Sequence, residues 1–202
     1  MKLLACIACG LVLVIGTLTS RKTASRFSDE ALFFGDEIDY HALAVNYVMG
    51  HGMRTGALEP IEKYHFARTD QGSIESFIAE GARGGDPALV RTRGYPFFLS
   101  LIYRVAGVHP RIARWVQLAL VILLGAGLPW LGFYLWRGAG ILPGVWAGLY
   151  YIGKYTLREH GLLAEPLFAF LLFLWTCLFV HWQRSRKLWP AFGLGLLAGC
   201  CV

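Results

Sequence analysis

The sequence predicts an all-α, polytopic transmembrane helix bundle whose long non-cytoplasmic first loop carries amphipathic surface helices. Three observations predict it. Apolar residues make up 56% of the 202-residue chain and charged residues 16%, where a soluble domain carries about 25% charged residues. The apolar residues fall in blocks of a length that crosses a bilayer core, about 17–25 residues. Charge is segregated as well: residues 20–112 hold eleven acidic and eleven basic side chains, so the net charge of +6 resides in the apolar remainder. There it sits in short basic stretches such as Arg184-Ser185-Arg186-Lys187. Basic residues beside membrane spans report orientation and headgroup contact, so this charge points to membrane lipid and not to nucleic acid.

The expected spans are residues 3–19, 113–136, 138–157, 162–182 and 190–202, with an outer loop over 20–112. Leu3–Thr19, preceded by Lys2, has the outline of a signal peptide; with further spans downstream it reads better as an uncleaved first helix. The last block is shorter than a bilayer requires and has no stop signal, so the chain reads as the N-terminal part of a longer membrane protein. The cysteines Cys6, Cys9, Cys177, Cys200 and Cys201 lie inside apolar blocks, and no pair of them frames a loop as a disulfide scaffold does. Cys6-x-x-Cys9 has a redox or zinc spacing but no His or acidic neighbour, and reads as membrane packing.

Orientation follows from the basic loops. The short, basic 183–188 loop should be cytoplasmic. Counting spans backwards puts the Arg137 turn inside, the 20–112 segment outside and the N-terminus inside. Arg21, Lys22 and Arg26 disagree locally, because they follow the first helix and only Lys2 precedes it. Long translocated segments largely escape the charge rule, so the downstream loop takes precedence.

Within the outer segment, residues 95–107 are apolar but too short for a span, and Arg104 interrupts them. Phe97, Phe98, Leu101, Ile102 and Val105 form one helical stripe, which predicts an amphipathic helix on the outer membrane surface. A second such helix is expected over Asp39–Met49, where Tyr40, Leu43, Ala44, Tyr47 and Val48 share a face and Gly50-His51-Gly52 ends it. Trp115, Trp136, Tyr150, Tyr151, Trp182 and Trp189 are expected near span ends, as an interfacial belt.

Three pieces carry chemistry. Gly35-Asp36-Glu37-Ile38-Asp39-Tyr40 sets three carboxylates within four positions at a helix start. Acidic residues suit that place because they complement exposed N–H groups and the helix dipole. A carboxylate there also suits a general base for an acceptor hydroxyl, or a ligand for a hard divalent cation such as Mg²⁺ or Mn²⁺. Arg91-Thr92-Arg93-Gly94-Tyr95-Pro96 offers guanidinium groups that pair bidentately with phosphate; ordinary headgroup contact is the plainer alternative. Glu165, in Leu162-Leu163-Ala164-Glu165-Pro166, is a carboxylate at the outer end of a span, where such groups face a cavity or a partner. Lys154, Arg158, Glu159 and His160 share that side, to pair with Glu165 or with a phosphate. His41, His51 and His65 share the outer segment with the carboxylates but show no recognisable metal spacing.

Taken in order, these pieces resemble the GT-C class of integral membrane glycosyltransferases, nearest to the protein O-mannosyltransferase (family 39) and aminoarabinose transferase branch. The ordered elements are the first span, then Asp36-Glu37 leading to Tyr40-His41-Ala42-Leu43-Ala44 and a Gly-His-Gly stop. Arg93-Gly94-Tyr95-Pro96-Phe97-Phe98-Leu99 follows, then Arg111–Arg114 before the second span, and Leu162-Leu163-Ala164-Glu165-Pro166-Leu167-Phe168 opening a later one. The resemblance implies an inverting transfer of a sugar from a polyprenyl-phosphate carrier to a protein, lipid or glycan acceptor on the non-cytoplasmic face. It implies Asp36, with Glu37 beside it, as the carboxylate base. Arg91, Arg93, Tyr95, Lys154, Arg158 and Glu165 are the expected substrate and phosphate contacts, and a bacterial inner membrane is the expected location. The other reading of the sequence is a non-catalytic transporter or assembly subunit that uses the outer segment for binding.

Overall fold

The computed structural model describes residues 1–29, 31–32, 35–53, 65–66, 92–158, 161–185 and 193. In chain order the elements are α1 (Lys2–Ala24), β1 (Ala31–Leu32), α2 (Gly35–Val48), β2 (His65–Phe66), α3 (Gly94–Ala106), α4 (Pro110–Trp136), a 3-10 turn (Arg137–Gly140), α5 (Ile141–Arg158) and α6 (Glu165–Ser185). The described architecture is helical apart from one parallel pairing of two-residue strands, Ala31 with His65 and Leu32 with Phe66. The chain divides into two compact units. The first comprises Met1–Arg26, Gln117–Glu159 and Glu165–Val202; the second comprises Phe27–Val116 and His160–Ala164.

Among the described residues, three segments are long and apolar enough to cross a membrane: Lys2–Ala24, Pro110–Thr156 and Glu165–Arg184. The middle one has 47 residues. As one straight helix it would extend about 70 Å, more than twice the thickness of a hydrocarbon core. The 3-10 turn breaks it at Arg137, whose φ of 56° is the single positive value among the described non-glycine residues. This matches the two expected blocks, 113–136 and 138–157, within a few residues. The block expected over 162–182 begins instead at Glu165, because Gly161–Ala164 are not helical and the Leu162 N–H is bonded to the Glu37 carboxylate. Residues 190–202 lie outside the described residues apart from Gly193.

Glycine contacts give the first unit its topology. A Cβ on Gly132 would lie 2.1 Å from the Gly140 carbonyl oxygen, one on Gly144 2.6 Å from Leu128 O and one on Gly148 2.3 Å from Gly125 O. The contacts step backwards along α4 as they step forwards along α5, so the two helices are antiparallel. Gly140, Gly144 and Gly148 recur every fourth residue, the small-residue spacing that lets helix backbones approach in an apolar solvent. Residues near the start of α1 pack by the start of α5, with Ala5 and Ala8 clustered on Ile141 and Val145. Further along, Val12 meets Gly148 and Gly16 meets Ile152, and the Thr23 hydroxyl donates to the Thr156 carbonyl at 2.9 Å. These helices therefore run parallel. Phe173 of α6 packs on Gly127 of α4, and Arg184 lies 4.1 Å over the Tyr134 ring, so α4 and α6 are parallel too. The hydroxyls of Thr17, Thr156 and Thr176 donate to carbonyls four residues back. Such a bond satisfies the hydroxyl within its own helix, without water.

In the second unit α2 packs against α3. Helix α2 ends in a Schellman arrangement: Gly50 N–H donates to Tyr47 O and His51 N–H to Asn46 O, with Gly50 at φ 84°, a conformation that glycine takes without Cβ strain. In α3 the buried row is Tyr95, Pro96, Leu99, Ser100 and Tyr103. Phe97, Leu101 and Val105 face outward on the opposite side, Val105 at 91% exposure. The apolar stripe read from the sequence is thus the exposed one, and the helix has a second apolar face that packs on protein. Helix α2 departs from its expected place on the surface. His41 through Asn46 are all buried, as are Glu37 and Ile38. Glu37 and His41 lie inside because they have polar partners there.

Candidate functional site

The first turn of α2 opens with Gly35-Asp36-Glu37, and the structure separates the two adjacent carboxylates completely. Asp36 is exposed, whereas Glu37 is fully buried. Successive residues on a helix point about 100° apart, which follows from 3.6 residues per turn, so neighbours in sequence face different surroundings.

Glu37 lies at the meeting point of four chain segments. Its Oε1 accepts from the Arg114 guanidinium of α4, in an ion pair fully shielded on both sides. The same oxygen accepts from the Leu162 backbone N–H at 2.9 Å. Arg114 Nη1 donates to the Ser28 carbonyl at 2.5 Å. The pair therefore joins the stretch after α1, the start of α2, the start of α4 and the stretch before α6. A buried pair of this kind is sustained by hydrogen bonds to its remaining atoms, and loss of one partner leaves an uncompensated charge. Glu37, expected beside Asp36 as a catalytic neighbour, is occupied as an anchor.

A second buried contact lies along the same helix. His41 Nδ1 and the Tyr103 hydroxyl are 2.9 Å apart, which ties the next turn of α2 to α3. Tyr95, an expected substrate contact, is buried and meets the Tyr40 ring edge-on at 4.9 Å between centroids. Tyr40 is one helical turn beyond Asp36, so Tyr95 supports this end of α2 from behind. Arg93 is exposed and immediately precedes α3; Arg91 lies outside the described residues.

Asp29, seven residues before Asp36, is also bonded. Asp29 Oδ1 accepts from the Arg111 backbone N–H at 2.9 Å, and Oδ2 lies 3.3 Å from His109 Nδ1. Asp29 thus caps the first turn of α4, whose leading N–H groups have no partner inside the helix. Glu30 lies outside the described residues.

The remaining expected contacts belong to the first unit. Lys154 is exposed on α5, Arg158 is its last helical residue, and Glu165 is exposed as the first residue of α6 with Pro166 behind it. Proline suits the first turn because its missing N–H is not needed there. Glu159 and His160 lie outside the described residues. No group of three or more His, Cys, Asp or Glu side chains suited to a metal ion occurs among the described residues.

Reasoning from sequence missed Arg114, Tyr103 and the Leu162 N–H as partners of the α2 residues. One signal was available: an arginine at the head of an apolar helix needs a partner inside the protein or in the headgroup layer. The Leu162 backbone group, 125 residues from Glu37 in the chain, gives no sequence signal at all.

The folding pattern and the site define a helical protein with segments long and apolar enough to span a membrane and a helical unit built around a buried Glu–Arg pair. No protein-family model, curated protein or solved structure matches the chain.

Proposed function

We propose that this chain belongs to a polytopic GT-C-type membrane glycosyltransferase, one that moves a sugar from a polyprenyl-phosphate carrier to a protein, lipid or glycan acceptor on the non-cytoplasmic face of a bacterial inner membrane. The supporting observation is the division of labour at the start of α2. Glu37 is consumed by the buried pair with Arg114, which fixes the helix end, and Asp36 is held exposed beside it.

In this reading Asp36 accepts the proton of the acceptor group as its heteroatom attacks the anomeric carbon. The bond between that carbon and the carrier phosphate breaks, the phosphate leaves with the electron pair, and the configuration inverts. The phosphate is already a good leaving group, so what the protein supplies is acceptor deprotonation and compensation of phosphate charge. Arg91, Arg93, Lys154 and Arg158 are the proposed sources of that compensation. Glu37 and Arg114 are positioning residues. The helix directions support the topology: α1 and α5 run parallel with α4 reversed, as required if α1 leads out, α4 returns and α5 leads out again.

The test is sugar transfer in native membranes from a panel of radiolabelled polyprenyl-phosphate sugars, wild type beside Asp36→Asn. Transfer by the wild type that vanishes in the variant supports the reading. Equal transfer by both removes Asp36 as the base. If no donor is used by a correctly inserted wild type, the binding or transport reading takes its place.

A further inference from the structure

Helix α3 divides its surface three ways. Tyr95, Leu99 and Tyr103 form the row buried against protein. Phe97, Leu101 and Val105 form an exposed apolar row. At 3.6 residues per turn these three fall within about 80° of one another. Arg104 borders them on one side, about 20° from Phe97 by the same geometry, and is exposed. The half-buried Phe98 and Ile102 border them on the other side. The helix holds no acidic residue.

The cation beside the row is held in place. Arg104 lies over the Tyr47 ring of α2, its guanidinium carbon 5.1 Å from the ring centroid. A cation over a ring face is attracted by the ring's electrons, which leaves its N–H donors for other acceptors. Arg104 forms no ion pair among the described residues. Tyr47 also meets the Phe97 ring edge-on at 6.0 Å between centroids. One tyrosine therefore joins the first residue of the apolar row to the cation that borders it.

The chain itself says what faces this row. Gly107, at φ 83°, ends α3, and Pro110 begins a segment long and apolar enough to cross a membrane. The steps from Ala106 to Pro110 can extend no more than about 14 Å, which is less than half of a hydrocarbon core of about 30 Å. The end of α3 is thus tethered to the head of that segment. Ile112 and Trp115, in the first two turns of the segment, are exposed as well, and tryptophan suits the headgroup layer.

We propose that the Phe97–Leu101–Val105 row docks into the membrane interface, with Arg104 on the phosphate of an anionic phospholipid. The apolar row enters the upper acyl chains, and the guanidinium at its edge meets the headgroup, as suits a helix that lies along a bilayer surface. This surface is separate from the sugar-transfer reading and does not depend on it. It makes α3 a two-sided helix, which binds α2 with one face and lipid with the other.

The test uses the full chain without its native cysteines, carrying a bimane probe at Val105→Cys, in nanodiscs of phosphatidylcholine and phosphatidylglycerol. Bromine is placed on the acyl chains of one lipid at a time, at equal mole fraction. Val105 and Arg104 face away from protein, and correct insertion is checked in each variant. We expect quenching by chain bromine and shielding from aqueous iodide. Quenching should be about twofold stronger with brominated phosphatidylglycerol than with brominated phosphatidylcholine, in keeping with the modest attraction of one cation for an anionic surface. That preference should vanish in Arg104→Gln and persist in Arg104→Lys. A probe quenched by iodide and not by chain bromine would overturn the docking. Equal quenching by the two lipids in the parent protein, or a preference that survives Arg104→Gln, would overturn the contact of Arg104 with an anionic headgroup. Disulfide-linked dimers of unlabelled Val105→Cys, without quenching by chain bromine, would give this face to a second copy and overturn the docking too.

Discussion

Glu37 Oε1 accepts two hydrogen bonds from distant parts of the chain, one from the Arg114 guanidinium and one from the Leu162 N–H. A single buried oxygen thereby fixes the start of α2 to the head of α4 and to the stretch that leads into α6. The consequence for stability is direct. Arg114→Ala or Glu37→Ala leaves one buried charge without its partner, and should lower stability by about 3–5 kcal/mol. Replacing both by apolar residues of similar volume, Glu37→Leu with Arg114→Met, should cost much less than either single change. Thermal unfolding in detergent, followed by protease resistance of the second unit, gives the comparison. A double variant that loses as much as the two single losses added together would show that the pair contributes little.

The His41–Tyr103 contact makes a separate claim on the same helix. Tyr103→Phe keeps the ring packed and removes the hydroxyl that lies 2.9 Å from His41 Nδ1. A buried polar atom that loses its partner costs about 1–3 kcal/mol. The variant should unfold earlier, with α2 and α3 loosening first, and hydrogen exchange resolved by peptide would show it. Unchanged protection over 35–48 and 94–106 would contradict a role for this bond.

Close helix approach in the hairpin predicts which glycines tolerate a methyl group. A Cβ on Gly144 would lie 2.6 Å from both Leu128 O and Pro129 Cα, which are backbone atoms, whereas a Cβ on Gly10 meets nothing within 4 Å. Overpacking of that kind costs about 1–3 kcal/mol. Gly144→Ala should therefore lower the thermal stability of the detergent-solubilised protein, and Gly10→Ala should leave it unchanged. The reverse ranking would mean that α4 and α5 are not packed through their glycines.

Orientation can be read with single cysteines in a background without native ones. In the proposed topology a cysteine at His51 or Arg93, both exposed, reacts with an impermeant maleimide from the non-cytoplasmic side. One at Arg137 reacts only after the membrane is opened. The opposite pattern would make the charges after α1, at Arg21, Lys22 and Arg26, the ones that set orientation, in keeping with the local charge rule.

The parts of this fold that the sequence makes legible are those with a strong period or a hard stop. The apolar blocks locate α1, α4, α5 and α6 because hydrophobic length is a one-dimensional property. Gly50-His51-Gly52 locates the end of α2 because a positive φ there favours glycine. What stays hidden is any partnership between residues far apart in the chain. Glu37 and Asp36 are alike as letters, and only the Arg114 guanidinium and the Leu162 N–H distinguish the anchored carboxylate from the exposed one. The same holds for His41, whose burial beside the Tyr103 hydroxyl joins residues 62 apart in the chain. The α4–α5 packing was legible in principle from Gly140, Gly144 and Gly148, whose four-residue spacing is a known signature of close helix approach.

In the proposed reaction Asp36 is the base of a sugar transfer fed by a lipid-linked donor. Its most direct test is transfer from radiolabelled polyprenyl-phosphate sugars in native membranes, comparing wild type with Asp36→Asn and with Glu37→Gln. The wild type should transfer sugar, and Asp36→Asn none above background at equal membrane insertion. Glu37→Gln should transfer less, in proportion to the loss of folded protein. Full transfer by Asp36→Asn would contradict it.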